Sequence, residues 1–335
     1  MNQLNCIDLF SGAGGLSLGL EQAGWKSLLA VEIDKAAGDT YEKNFSDTEL
    51  YSGDVRDLSF SRYKGKVDLV AGGPPCQPFS VAGAQNADND PRDMIPEFVR
   101  AVSEIQPKTF LMENVAGLTT KRHQTYLNKA LTSLEELGYN VTAKIHNAAD
   151  FGAPQDRFRL LIVGTKIKGF TFPEVTHGPN GRHAYATAWD AIKDAPEDEP
   201  NTAIITYAKK PVLRPSPYAG MLVNGGGRPI NLAAPSQTIP ASAGGNRTHI
   251  VDEDKVLFDY HSYLRAGGKP SNGIVDGVRR LTVRESARLQ SFPDQFDFSG
   301  KKSARYRQVG NAVPPRLAYA IGECIYNFID RGTST

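Results

Sequence analysis

The segment that most constrains the fold is the junction between residues 4 and 24. Leu4–Leu9 is an apolar run that reads as a buried strand. Asp8-Leu-Phe-Ser-Gly12-Ala-Gly14-Gly15 follows as a tight glycine turn, and Gly15–Ala23 reads as a helix, with Gly24 where a C-terminal cap belongs. Further apolar strands are expected at Leu28–Ile33, ahead of Asp54, at Val67–Gly72, at Thr109–Glu113 and at Phe158–Val163. Helical segments near Pro96–Ile105 and Thr125–Leu137 separate the later ones. This alternation predicts an α/β fold, a doubly wound, mostly parallel sheet covered by helices.

The texture changes near Pro196. Pro, Gly, Asn and Ser dominate to about Asn272 without a clear helical period, as in a smaller, loop-rich domain built for surface contacts. Regular structure is expected again at Thr282, where Thr282 and Glu285 have capping-box spacing ahead of a helix over Val283–Ser291. Phe292-Pro293 should stop it, and a last helix is expected over Arg316–Asp330.

Composition excludes some classes. A 40% hydrophobic fraction over 335 residues can build a sizeable core. No apolar run approaches the roughly 18 residues that span a bilayer, and the amino-terminal segment lacks a basic stretch followed by an apolar one. Cys6, Cys76 and Cys324 are too scattered for a disulfide framework or a paired metal-ligand spacing. The expected setting is therefore the reducing cytosol, without a metal. The net charge of +1 is neutral on nucleic-acid binding, but Arg279, Arg280, Arg284, Arg288, Lys301, Lys302, Arg305 and Arg307 face only Glu285, Asp294 and Asp297 in the same stretch. Such a stretch can face phosphates or form a solvated helix surface.

Two sets of residues carry chemistry. Glu32 ends the second strand, where a carboxylate can accept hydrogen bonds from both ribose hydroxyls of a nucleoside, and Asp54 could take an adenine amino group. The ligand is expected to be an adenosine derivative. A dinucleotide site would want Gly where Ser17 stands. The second set begins at Gly72-Gly-Pro-Pro-Cys76-Gln-Pro-Phe-Ser80, just beyond a strand's carboxyl edge, where open sheets bind ligands. Glu113-Asn-Val115 ends the next strand, and Gln155-Asp-Arg157-Phe-Arg159 carries two arginines at alternate positions, which share a face if that segment is extended. A nucleophile, a carboxylic acid and an arginine pair can thus converge.

Phe10-x-Gly-x-Gly-Gly15, Pro74-Pro-Cys76-Gln, Glu113-Asn-Val and Gln155-x-Arg-x-Arg159, followed by Arg280-Leu-Thr-x-Arg-Glu-x-Ala-Arg-Leu-Gln290 and Gly310-Asn-Ala-Val-Pro-Pro315, resemble the successive motifs of the DNA cytosine-5 methyltransferase family, in its bacterial restriction-modification form. The resemblance covers nearly the whole chain outside about 197–275. It implies a Rossmann-like S-adenosylmethionine-dependent fold. It also implies a reaction in which the Cys76 thiolate adds to carbon 6 of cytosine while Glu113, protonated or sharing a proton, serves ring nitrogen 3. Arg157 then steadies the base carbonyl or the cysteine, and Arg159 supports it. The target base must be flipped from the duplex, and Ser80–Asp93 reads as the loop that closes over it.

For the cofactor the resemblance implies Phe10, Gly12, Gly14, Glu32, Ile33, Asp54, Val55, Pro75, Asn311 and Ala312. For DNA it implies Ser80, Arg228, Thr238, Arg247 and Arg280, with Arg228 able to read guanine bidentately. The division it implies is 1–196 for catalysis and cofactor binding, 197–275 for target recognition, 276–304 as a hinge, and 305–335 returning to the first domain. Double-stranded DNA is the implied partner, with a cognate restriction endonuclease acting separately and the enzyme itself a monomer. A related tRNA methyltransferase would carry a Cys-Phe-Thr tripeptide, and no cysteine lies between Cys76 and Cys324.

Overall fold

A computed structural model of the chain describes residues 3–75 and 92–332. Cys76 and Ser80, with nearly all of the expected closing loop, lie outside the described residues.

The first half alternates as the sequence predicts. The order is β1 (Asn5–Leu9), α1 (Gly15–Gln22), β2 (Lys26–Glu32), α2 (Lys35–Asn44), β3 (Glu49–Ser52) and β4 (Leu69–Gly72). Then come α3 (Ile95–Ile105), β5 (Thr109–Val115), α4 (Gln124–Glu136), β6 (Asn140–Asn147) and β7 (Phe158–Thr165). They form one seven-stranded sheet in the order β3-β2-β1-β4-β5-β7-β6. The pairs from β3 to β5 are parallel, whereas β7 runs antiparallel to β5 and β6. From β1 the chain winds outward to β2 and β3, then returns to place β4 on the other side. The crevice at the carboxyl ends of β1 and β4 is therefore the topological switch point of the sheet.

Strand alternation divides the core. Ile7 and Leu9 of β1 face a cluster with Phe98 of α3 and Leu127 of α4. Cys6 faces the other side, with Leu16 and Leu20 of α1. On that side lies the expected last helix, α9 (Pro315–Gly332), whose Leu317, Ile321 and Ile325 are buried. Glycines permit the approach. A Cβ on Gly19 would sit 2.4 Å from the Ala318 Cβ and 2.5 Å from the Pro315 carbonyl oxygen, and one on Gly15 2.4 Å from the Val313 carbonyl oxygen.

The second half contains α5 (Ala188–Ile192), the hairpin β8 (Tyr207–Val212) and β9 (Met221–Val223), β10 (Ile250–Val251), α6 (Val256–Arg265), β11 (Arg279–Arg280), α7 (Val283–Leu289) and α8 (Lys302–Asn311). Thr282 and Glu285 form the anticipated capping box on α7. Helix α6 corrects the expectation of a region without helical period. Leu257, Tyr260, His261 and Leu264 repeat on one buried face, and the Asp252 carboxylate accepts from the Leu257 amide at 2.9 Å. They pack with Ile205, Leu222, Ile250 and Val275 in a small core of their own.

The basic stretch is largely neutralised within the fold. Arg279 pairs with Glu285, Arg288 with Asp194 and Asp294, Lys302 and Arg305 with Glu199, and Arg307 with Asp34. Most of its acids come from distant sequence, so these side chains join segments of the molecule.

Gly19→Val tests the α1–α9 contact. Overpacking of this kind costs about 1–3 kcal/mol, so the thermal midpoint should fall clearly. Gly117→Ala, where a Cβ meets nothing within 4 Å, should leave it nearly unchanged. Equal midpoints for Gly19→Val and wild type would show that the contact is not tight.

Candidate active site

A cavity of about 780 Å³ opens at the switch point, within the usual size of small-molecule sites. One wall is the glycine turn. Gly12 and Gly14 have φ of 56° and 93°, and Phe10, although not glycine, is held at 60°. A bulky residue in that region is uncommon and strained, a feature that collects at ligand sites. Glu32 is fixed from two sides, accepting from the Gly12 amide at 2.8 Å and the Asp34 amide at 2.7 Å. Burial raises its pKa, and these backbone bonds oppose the rise. Ile33, Val55, Asn311 and Ala312 also line the cavity, as does Pro75. Asp54 does too, but its carboxylate is engaged by the Arg56 guanidinium, whose Nε lies 2.9 Å from Oδ1 and which lowers the Asp54 pKa.

Sequence reasoning passed over Asp8. Its side chain is buried in the cavity wall. Tyr41 donates to the Ser17 hydroxyl at 2.9 Å, and Ser17 donates to Asp8 Oδ2 at 2.6 Å. Oδ1 has no hydrogen-bond partner among the described residues, and burial pushes the pKa to about 7. The available signal was a carboxylate inside an apolar strand. Ser17, which spoils the dinucleotide pattern, is the donor that holds it.

The opposite side carries Glu113 at the end of β5. Its Oε1 lies 2.6 Å from the Arg159 Nε, and both side chains are nearly buried. Its Oε2 faces Gly73, where an added Cβ would be 2.9 Å away. Asn114 donates to the Pro74 carbonyl at 3.1 Å, and the Met94 amide to that of Pro75 at 3.1 Å. The backbone leading to Cys76 is thereby held beside Glu113.

Both arginines line the cavity, Arg157 the more deeply buried. Arg157 is 2% exposed and donates from Nη1 to the Ile239 carbonyl at 3.2 Å and from Nη2 to that of Gly310 at 2.7 Å. Burial, reinforced by Arg159, pushes its pKa down, and Glu113 opposes this. A guanidinium keeps its proton regardless, so these carbonyls solvate a buried cation. Arg159 is the arginine against the carboxylate, and Arg157 lies on the same cavity lining, held by two backbone carbonyls. Arg280, expected to meet DNA, is buried. It is 2% exposed and donates to the carbonyls of Ala203 at 3.2 Å and Thr248 at 2.8 Å, so it supports loops rather than meeting phosphates. Thr238 stands exposed at the cavity rim, donating to the Asp156 carbonyl at 2.6 Å. Arg247 is exposed and Arg228 half-buried.

A family model described as C-5 cytosine-specific DNA methylase matches residues 4–327. The Type II methyltransferase M1.HphI of Haemophilus parahaemolyticus is 42% identical, over 96% of this chain and 86% of its own. The Type II methyltransferase M.FnuDI of Fusobacterium nucleatum is 36% identical, over 96% and 94%. The crystal structure of a DNMT2 mutant from Spodoptera frugiperda has the same fold, with a TM-score of 0.73 at 20% identity over 97% of this chain and 100% of that one. Among the described residues, no helix is long and apolar enough to cross a membrane.

Gly73→Ala tests the carboxylate wall. The new methyl group must displace Glu113 Oε2, which Arg159 holds through its partner oxygen. Loss of one positioned acid is worth roughly 10²–10⁴ in rate, so turnover should fall at least tenfold while cofactor affinity, measured by calorimetry, stays near wild type. Unchanged turnover would show that Oε2 has no working role.

Proposed function

The chain belongs to the C-5 cytosine-specific DNA methylase family, and from that premise we propose how its residues divide the work. The activity is transfer of a methyl group to carbon 5 of cytosine in DNA, through the covalent adduct general to the family. The cofactor is S-adenosylmethionine, which when bound supplies an electrophilic methyl group on a positively charged sulfur. The cavity suits it. Glu32 is placed for ribose hydroxyls, Phe10, Ile33, Asp54 and Val55 for the adenine, and Gly12, Gly14, Pro75, Asn311 and Ala312 for the rest.

Cytosine carbon 5 is a weak nucleophile. The Cys76 thiolate adds to carbon 6 while Glu113, through the oxygen facing Gly73, supplies a proton or hydrogen bond to nitrogen 3. Electron density then shifts to carbon 5, which can accept the methyl group. Loss of the carbon 5 proton and expulsion of Cys76 restore the aromatic ring. Arg159 holds Glu113 and offers its remaining N–H groups to the base carbonyl. Arg157, held on the cavity lining by two backbone carbonyls, steadies the base carbonyl or Cys76. The observation that carries this reading is the Glu113–Arg159 pair, set beside the Pro74-Pro75 backbone on the cavity rim.

Residues 197–275 form the target recognition domain in this reading, 276–304 the hinge, and 1–196 with 305–335 the catalytic part. Arg228, Thr238, Arg247 and Ser80 face DNA. The Type II names of the relatives support a restriction-modification role; in this reading the enzyme is a monomer in the cytosol and a cognate endonuclease acts separately.

A duplex with 5-fluorocytosine at the target tests the chemistry, because fluorine cannot leave carbon 5 as a proton. The enzyme should become trapped in a complex that survives denaturing electrophoresis and needs S-adenosylmethionine to form efficiently. Cys76→Ser should still bind DNA but not trap. A crosslinked peptide containing Cys6 or Cys324 would overturn the assignment.

A further inference from the structure

A buried polar bridge joins the base side of the cavity to the cofactor side, and none of the roles above uses it. It starts at Ile239, next to the rim residue Thr238. The Ile239 amide donates to Gln155 Oε1 at 2.7 Å. Because that contact needs an acceptor, the Gln155 amide nitrogen must face the other way. It donates to Gln290 Oε1 at 2.9 Å and to the Leu289 carbonyl at 3.3 Å. Gln290 is oriented in turn and donates to the Val309 carbonyl at 2.7 Å. Arg157 makes a second, parallel connection from the Ile239 carbonyl to that of Gly310. Gln155 and Gln290 are fully buried.

The backbones at the two ends also touch. A Cβ on Gly310 would lie 2.3 Å from the Pro240 carbonyl oxygen. Segment 236–238 is laced to the catalytic strand's approach, with the Asp156 amide donating to Ser236 at 2.8 Å and the Ser236 amide to Pro154 at 3.0 Å. Immediately beyond Gly310 are Asn311 and Ala312, which line the cavity, as Thr238 does on the other side. One segment cannot shift without moving the other or stranding buried donors and acceptors away from water.

We propose that Gln155 and Gln290 are positioning residues that lock the Thr238–Ile239 segment to Val309–Gly310, so that cofactor binding and target-strand binding favour one another. The inference rests on the reading of the cavity given under Proposed function. It makes the bridge a two-ended brace, with both glutamines required for a continuous chain from Ile239 to Val309. A bound cofactor that fixes segment 309–312 thereby fixes segment 238–239 in its DNA-receiving position, and the reverse holds by linkage.

The test uses the full-length enzyme, S-adenosylhomocysteine, and a duplex that the wild-type enzyme methylates. The DNA dissociation constant is measured with and without saturating S-adenosylhomocysteine, and the ratio is the coupling factor. Wild type should show tightening of at least about fivefold, the lower end of common allosteric couplings. Gln155→Met/Gln290→Met keeps the volume and removes the chain, so its factor should fall toward one, with S-adenosylhomocysteine affinity alone within about threefold of wild type. Gln290→Met, which keeps the Gln155 links to Ile239 and Leu289 and asks less of folding, should show an intermediate factor. A purely structural role would lower the thermal midpoint of these variants without moving the ratio. Folded variants that keep the wild-type factor, or a wild-type factor of one, would overturn the proposal. A chain that methylates no duplex would instead contradict the reading of the activity.

Discussion

Strands β1 and β4 approach one another so closely at their carboxyl ends that a Cβ on Gly72 would lie 2.4 Å from the Leu9 carbonyl oxygen. Leu9 pairs with Gly72 there, at the point where the winding of the sheet reverses. The glycine turn leaves β1 directly after Leu9, and Gly73-Pro74-Pro75 leaves β4 directly after Gly72. Cofactor wall and catalytic wall are therefore neighbours because of one backbone contact. A crevice of this kind binds ligands in open sheets generally. Here it is finished by chain from the far end of the sequence, since α9 packs on α1 through Gly19, and segment 308–313, which closes on Gly15, reaches the cavity.

Charge inside this frame is placed economically. Glu113 and Arg159 satisfy one another at the rim, where the other carboxylate oxygen faces Gly73. Arg157 is deeper and is stabilised by two backbone carbonyls, a costly arrangement if either carbonyl moved. Burial raises the Asp8 pKa to about 7, and its buried Oδ1 has no hydrogen-bond partner among the described residues.

Most of the sheet and most helices of the first half were legible because buried strands and amphipathic helices repeat with different periods, but β6, largely exposed, and α2 were not anticipated. The capping box at Thr282 was legible because it is local. Helix α6 was missed although Leu257, Tyr260, His261 and Leu264 recur at helical spacing, because its aromatic and β-branched residues have modest helix propensity and lie in loop-rich surroundings. Arg157 precedes β7, which begins at Phe158, yet both Arg157 and Arg159 line the cavity as their alternate spacing suggests. The other arginines show another limit. Arg280 was expected to meet DNA and the basic stretch was left open between phosphates and a solvated helix surface, because their partners, including Glu199, Asp194 and the Ala203 and Thr248 carbonyls, are remote in sequence. Pairwise contacts across long separations leave no one-dimensional period.

The central claim is that this cavity directs a methyl group to carbon 5 of cytosine in DNA. Its most direct test is to incubate the purified chain with duplex DNA and isotopically labelled S-adenosylmethionine, digest the DNA to nucleosides, and identify the labelled product by mass spectrometry. The account predicts label in 5-methyldeoxycytidine alone, with tRNA unlabelled in a parallel reaction. Label on the exocyclic nitrogen of cytosine or adenine, or in tRNA but not DNA, would contradict it.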